Sequence, residues 1–412
     1  MVNMRPFCAV RPAKEYAASI AALPYDVYDR TQAKAAVSRN PLSFLKIDRA
    51  ETQFSDETDM YADAVYEQAA RSLTEMLTDG YFIREDKACY YIYSLTMQGH
   101  VQNGLVGCTS IDDYLHGTIR RHENTLPAKE LDRIRHIDTL NAQTGPIFLA
   151  YRARAELRSW IAAQKQRPAL YDFTSEDGIR HQVWKISDDT EIARITQLFA
   201  EMEAVYIADG HHRAASAVKV GLKRRKTVPS YDGTEEFNHF LSVLFPADEL
   251  QIFPYNRIVT GSPRYTPSVL LEKLKDSFEV TVCPHGLCPP QKKGEITMYL
   301  KGTWYRLEAK TALFCGDPVQ DLDVSVLQDT ILEPLFDIHD AKNDPRISFA
   351  GGVRAAEEWM ELAEKQPDKV MFFMYPTSME EVLAVADAKR LMPPKSTWFE
   401  PKLRSGLFIH EI

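Results

Sequence analysis

No apolar run in this 412-residue sequence is long enough to cross a bilayer, which argues against a membrane-spanning helix. The start, MVNMRPFCAVRPAKEY, lacks the apolar stretch of a secretory signal, so a cytoplasmic location is expected. Cysteine is scarce. The six residues Cys8, Cys89, Cys108, Cys283, Cys288 and Cys315 form no CxxC pair. Cys283 and Cys288 flank His285, but no second Cys/His pair stands at zinc-module spacing. Reduced, mostly buried thiols are therefore expected. Positive charge is not in excess either. A net charge of −9 argues against a general nucleic-acid binder. It leaves room for a small anionic substrate, because local lysines and arginines set the field inside a cleft. Internal repeats, low-complexity tracts and long linkers are also missing.

What is present is an ordinary core-forming composition, 45% hydrophobic and 26% charged. The segment DETDMYADAVYEQAARSLTEMLTDG reads as a long helix ending near Gly80. KACYYIYSLTMQGHVQNGLVGCTSI reads as a hairpin turning at Gln98-Gly-His. A helix is expected after Pro127, followed by the buried strand PIFLAY, the strand HQVWKISD and the amphipathic helix EIARITQLFAEM. Beyond Val259 the chain alternates again: a helix and strand in TPSVLLEKLKDSFEVTVCP, a hairpin around Lys301-Gly302, a helix in VSVLQDTILEPLF, a helix from Gly352, the strand VMFFMY and the helix SMEEVLAVADAKR. Strands, helices and hairpins mix in this way in an α+β, or mixed α/β, fold. Two regions are expected, 1–260 and 261–412, the second with α/β character and a basic C-terminal strap.

Three clusters carry the chemistry. In YIADGHHRAASAVKVG an apolar strand ends, a polar turn follows and a helix begins. The first N–H groups of such a helix lack partners within it and point at whatever sits before it, which suits an anion. Asp209 is a candidate helix cap or magnesium ligand. Arg213 is a candidate phosphate fork. His211 and His212 are adjacent and point in different directions, so they do not chelate one ion together. In RRHENTLPAKELDRIRH, His122 and Glu123 precede a helix on which Lys129 and Arg133 share a face. Glu123 is a candidate general base, whereas Glu130, Asp132 and Arg135 read as a solvated face with ordinary ion pairs. In MPPKSTWFEPKLRSG, Lys395, Lys402 and Arg404 bring positive charge near Ser396, a set suited to phosphate oxygens or to a strap packing Trp398 and Phe399.

The motifs RPFCAVRP, LPYDVYD, RNPLSFL, RHENTLPAKELDR, GPIFLAY, IADGHHRAASA, PYNRIV and MPPKSTWFEPKLRSGLFIH together resemble a widespread microbial family of unknown function, over nearly the whole chain. The DGHHR turn also resembles the phosphate-binding signature of the ParB/sulfiredoxin superfamily, which includes ParB-like kinases of free L-serine. The resemblance implies a ParB/sulfiredoxin-like core with large insertions. It implies a small-molecule kinase that converts L-serine to O-phosphoserine with Mg²⁺, its donor pyrophosphate or an adenine nucleotide. Asp209, His211, His212 and Arg213 match the motif position by position. On this reading Glu123, Asp209, His211 and His212 are catalytic, and Asp209 holds the metal. His122, Lys129, Arg133, Arg213, Lys395, Ser396, Lys402 and Arg404 bind phosphate or substrate. The expected partners are small molecules, with neither a membrane nor a nucleic acid among them. Two other uses of the same turn are a nucleotide-binding regulator without catalysis and a metal-dependent phosphohydrolase.

Overall fold

The computed structural model of the chain describes residues 1–228, 230–261, 264–352 and 355–412. It divides into two compact units, residues 1–250 with 401–412, and residues 251–400. The expected boundary at 260 thus falls about ten residues late. The C-terminal twelve residues belong to the first unit, so Lys402 and Arg404 lie there while Lys395 and Ser396 lie in the second. Each unit mixes helices with a mainly antiparallel sheet, as the alternating patterns predict.

In the first unit the elements that matter are α1 (Asp63–Thr78), β1 (Tyr90–Met97), β2 (His100–Ser110), β3 (Ile119–Arg120), α2 (Pro127–Leu140), β4 (Ile147–Tyr151), β5 (Tyr171–Thr174), β6 (Arg180–Ile186), α3 (Asp189–Ala200), β7 (Val205–Asp209), α4 (His211–Thr227) and β8 (His239–Pro246). The strands run in the spatial order β3-β7-β4-β8-β2-β1-β6-β5. The short strand Met4–Arg5 pairs with the far end of β2. Two of the pairings, β7 with β3 and β8 with β4, are parallel, and the rest are antiparallel. Nearly every residue of β1, β4, β7 and β8 is buried on both faces. That explains why PIFLAY and VYIA read as unbroken apolar runs rather than as alternations. The hairpin turn falls at Gln98-Gly99, both with positive φ, as the sequence predicts.

The core joins Ile92, Leu105, Leu149, Ile207 and Leu244 of the sheet to Ile195 and Phe199 of α3 and Ala214, Ala217 and Val218 of α4. A second cluster packs the N-terminal segments, including Ile20, Phe44 and Ile47, on Val65, Leu73 and Met76 of α1. Helix α1 is shorter than its sequence pattern, since residues 56–62 form turns. The tail threads through this unit. Ser405 pairs with Ala22, Ile409 with Val10, and His410 with Gln143.

The second unit is a six-stranded antiparallel sheet. Its strands are β9 (Tyr255–Val259), β10 (Phe278–Val282), β11 (Glu295–Leu300), β12 (Thr303–Ala309), β13 (Ile347–Gly351) and β14 (Val370–Met374), in the order β10-β12-β11-β14-β9-β13. Helices α5 (Pro267–Leu274) and α6 (Ala356–Lys365) lie between the strands in sequence, and α7 (Met379–Asp387) follows β14. The expected helix from Gly352 begins at Ala356; the Val353 and Arg354 of that expectation lie outside the described residues. The pattern of VSVLQDTILEPLF resolves into three consecutive helical pieces, the middle one of π type. One expectation is corrected. Cys283 and Cys288 form a disulfide, with Cα atoms 6.1 Å apart, so they are not reduced thiols. Their five-residue separation closes a small loop at a span that disulfide geometry accepts. Of the remaining cysteines, Cys89 and Cys108 are buried while Cys8 and Cys315 are exposed.

Candidate phosphate-binding turn and its surroundings

Three chain segments meet at one end of the first sheet. Strand β7 ends at Asp209 and the chain enters α4 through Gly210. Strand β3 pairs in parallel with β7, so the residues that follow it, His122 and Glu123, emerge beside Asp209 and His211. Strand β4 runs antiparallel to β7, which brings Gly145 and Pro146 to the same end.

Gly210, not Asp209, caps the helix. Its φ of 93° is left-handed, and no side chain supplies a cap bond. A Cβ at this position would lie 2.9 Å from Arg213 Nη2, so Gly210 allows both the turn and the fold-back of Arg213. The Asp209 carboxylate accepts from the Gly210 N–H at 2.7 Å and pairs with Lys402 Nζ at 2.9 Å. Burial acts to raise the Asp209 carboxyl, but Lys402 and Arg213 outweigh it and hold it well below the usual carboxylate range. Asp209 is thus an anion at any physiological pH. Arg213 donates through Nη1 to the Pro146 carbonyl at 2.8 Å.

The histidines differ sharply. His122 and His211 are buried and pack edge to face, with ring centroids 4.6 Å apart. Among the described residues neither nitrogen of His122, nor Nε2 of His211, makes a hydrogen bond, although the Ile207 backbone lies close enough to favour a charged His122. Burial nevertheless pushes the His122 ring down to about 4, and burial followed by the neighbouring His122 pushes His211 well below the usual imidazole range. Both rings are neutral at pH 7. His211 Nδ1 stands 3.8 Å from Glu123 Oε2, and the Glu123 side chain is partly open to solvent. His212 turns the other way, where its Nε2 accepts from the Leu126 N–H at 2.9 Å. That bond ties the turn to the start of α2.

The remaining expected residues separate into groups. Arg133 is buried, pairs with Asp132 at 2.8 Å and stacks over the Tyr25 ring at 4.0 Å. Arg133 and Arg213 line one cavity, and Lys129 lines an adjoining one. Arg404 is buried and bonded to Asp177 and to Ser175 Oγ, so its Nη2 is engaged within the protein. In the second unit, the Lys395 Nζ sits 5.5 Å from the Tyr255 ring centroid. There too Ser396 is buried, with its hydroxyl on the Pro393 carbonyl at 2.6 Å. The face read as solvated holds its ion pairs, Arg135 with Asp63 and Glu130 with Lys219, but Glu130 itself is buried and also accepts from Thr125.

Asp48 and Thr144 belong to no motif, yet with Tyr25 and His136 they line the cavity that Arg133 and Arg213 share. A single Asp at the end of a short helix carries no signal of its own. As for metals, Asp209 offers hard oxygens of the kind Mg²⁺ takes alongside phosphates and water. Among the described residues no three His, Cys, Asp or Glu converge on one point, so the three-ligand site a metal-activated water needs is not assembled there. No described helix is long and apolar enough to cross a membrane.

Several solved structures are similar to this chain at low identity. The free serine kinase in complex with AMP shares 13% identity at a TM-score of 0.35, covering 73% of this chain and 90% of its own. SbnI with C-terminal truncation from Staphylococcus aureus shares 12% identity at 0.38, covering 74% and 86%. A conserved hypothetical protein from Pyrococcus furiosus shares 13% at 0.34, covering 73% and 93%. No curated protein matches the sequence. A family model described as protein of unknown function (DUF1015) matches residues 4–325. The chain belongs to the DUF1015 family.

Proposed function

We propose that this protein is a phosphotransferase that moves a phosphoryl group from pyrophosphate or an adenine nucleotide to the hydroxyl of free L-serine. The observation that carries the reading is the turn at Asp209–Arg213. It sets a permanently ionised carboxylate, the Lys402 ammonium and the Arg213 guanidinium around the open start of a 17-residue helix. The start of a helix and its dipole favour an anion in front of it. The DGHHR sequence resembles the turn that the ParB-like serine kinases use for the same purpose.

Phosphoryl transfer asks a protein mainly for positioning and for cations around the developing charge. Lys402, Arg213 and the helix N–H groups supply the cations and donors here. A bound Mg²⁺, held by Asp209 together with donor oxygens, would draw charge from the leaving group. In the transfer the serine oxygen bonds to phosphorus and the bond from phosphorus to the leaving oxygen breaks. Glu123 accepts the hydroxyl proton. His122 and His211 remain neutral beside it, so they add no competing charge and keep water from the turn. ParB-like binding without catalysis would use the same donors but would leave Glu123 without a task.

The test is incubation with L-serine and Mg²⁺ and, separately, pyrophosphate, ATP and ADP, followed by mass spectrometry. O-phosphoserine is expected from one donor class. Absence of product with every donor overturns the reading.

A further inference from the structure

We infer that the chamber between α2, α4 and the N-terminal segment binds an α-amino acid as its zwitterion, with Asp48 on the ammonium side and Arg133 on the carboxylate side. The inference rests on the phosphotransfer reading only for which hydroxyl becomes the acceptor.

Two cavities share one wall made of Tyr25, Asp48, Arg133 and His136. The first reaches Arg213 and therefore the phosphate turn, and the second has a volume of ≈ 180 Å³. That is several times the roughly 30 Å³ share of one water. The wall carries both signs of charge, and each is incompletely used. Asp48 is 5% exposed, and its Oδ1 accepts from Thr144 at 2.8 Å. Among the described residues its Oδ2 has no hydrogen-bond partner; His136 Nε2 lies 4.0 Å from Oδ1, and Arg133 attracts Asp48 through space without an ion pair or hydrogen bond among the described residues. His136 cannot neutralise it, because burial and the adjacent Arg133 hold the ring neutral at physiological pH. Its Nε2 instead donates to the Ile47 carbonyl at 3.2 Å, which leaves Nδ1 as a lone-pair acceptor.

Arg133 spends Nε and Nη2 on Asp132 and keeps Nη1 unpaired among the described residues. Its plane is fixed by the stack on Tyr25 at 4.0 Å. A buried carboxylate that keeps an open oxygen is costly unless a cation meets it. A guanidinium held rigid with an open edge is suited to a carboxylate. A small ligand bearing an ammonium and a carboxylate satisfies both ends at once, and a simple anion or cation satisfies only one. Ile137, Ile147 and Ala217 give the first cavity an apolar wall, and Ile47, Val65 and Ala69 give the second one.

Isothermal titration of the full-length protein tests this with L-serine, L-alanine, ethanolamine and D-glycerate. Ethanolamine lacks the carboxylate and D-glycerate lacks the ammonium. L-serine and L-alanine should bind, and both analogues should bind on the order of 10- to 100-fold more weakly, the usual worth of a charged hydrogen bond. Asp48→Asn should weaken L-serine by a similar factor while leaving D-glycerate unchanged, and retained D-glycerate binding also shows that the variant folds. If either analogue binds as well as L-serine, or L-serine does not bind at all, the inference is overturned, and these arms need no variant. Binding of L-serine without phosphoserine from any donor would sink the phosphotransfer reading alone. Phosphorylation of ethanolamine as fast as L-serine would sink the zwitterion site alone.

Discussion

Asp209 is the residue on which most of the site depends. It is pinned between the Gly210 N–H and Lys402, and its charge is stabilised by two cations. A carboxyl depressed in this way adds stability that is complete above its unfolded pKa near 4 and is lost as pH falls further. Asp209→Asn should therefore unfold at lower urea than the parent at pH 7, and the difference should shrink below pH 4. His122 acts in the same direction but in a higher pH window. Its pKa is lowered to about 4, so the unfolded chain takes up protons first as pH falls from 6.5. Stability should drop across pH 6.5 to 4, by roughly 3 kcal/mol for this one ring. His122→Phe should flatten that part of a urea-midpoint profile, and an unchanged slope would show that the ring is not neutral in the fold. The adjacency of His211 and His212 was enough to predict their divergence. That His211 would meet His122 was not readable, because β3 is only two residues long and its parallel pairing with β7 leaves no periodic mark.

At the scale of elements, helix α4 is both scaffold and site. Its buried face, Ala214, Ala217, Val218 and Gly221, follows the helical spacing of the sequence. Gly221 is there for contact, since a Cβ would lie 2.5 Å from the Phe237 carbonyl oxygen and 2.7 Å from Ile111 Cδ1. Replacing a mid-helix glycine by alanine ordinarily stabilises by up to about 1 kcal/mol. Here Gly221→Ala should instead destabilise by about 1–3 kcal/mol, as overpacking does, and thermal denaturation reads the sign. The strong elements were legible for a plain reason: α2 starts on Pro127, α3 on the Asp188 cap, and the β1–β2 turn on Gln98-Gly99. The end of β7 was misread because aspartate is a better cap by type than glycine. The left-handed conformation needed at residue 210 decided otherwise. The Cys283–Cys288 disulfide was missed because spacing alone does not distinguish a thiol pair from a bridge. Of the chamber wall only Arg133 was legible as a binding residue, since Tyr25, Asp48 and Thr144 join it from three other segments.

For the whole molecule, the second unit is an insertion within the first. Its ends are paired, Gln251 opposite Glu400, so the first unit's chain leaves and returns at nearly one point. Replacing residues 251–400 with a short flexible linker should leave a first unit that unfolds cooperatively by circular dichroism. Ending the chain at Glu400 should not, because Leu407, Phe408 and Ile409 are fully buried and the tail closes three strand bridges. The central claim is that the Asp209 turn transfers phosphoryl groups. A ³¹P NMR time course of the full-length protein with L-serine, Mg²⁺ and each donor tests it most directly, run beside Asp209→Asn and Lys402→Ala. A phosphoserine resonance should grow for the parent chain and slow by about 100- to 1,000-fold in both variants, as loss of a charge-stabilising group does. No phosphoserine from the parent chain, or equal rates in all three proteins, would contradict the account.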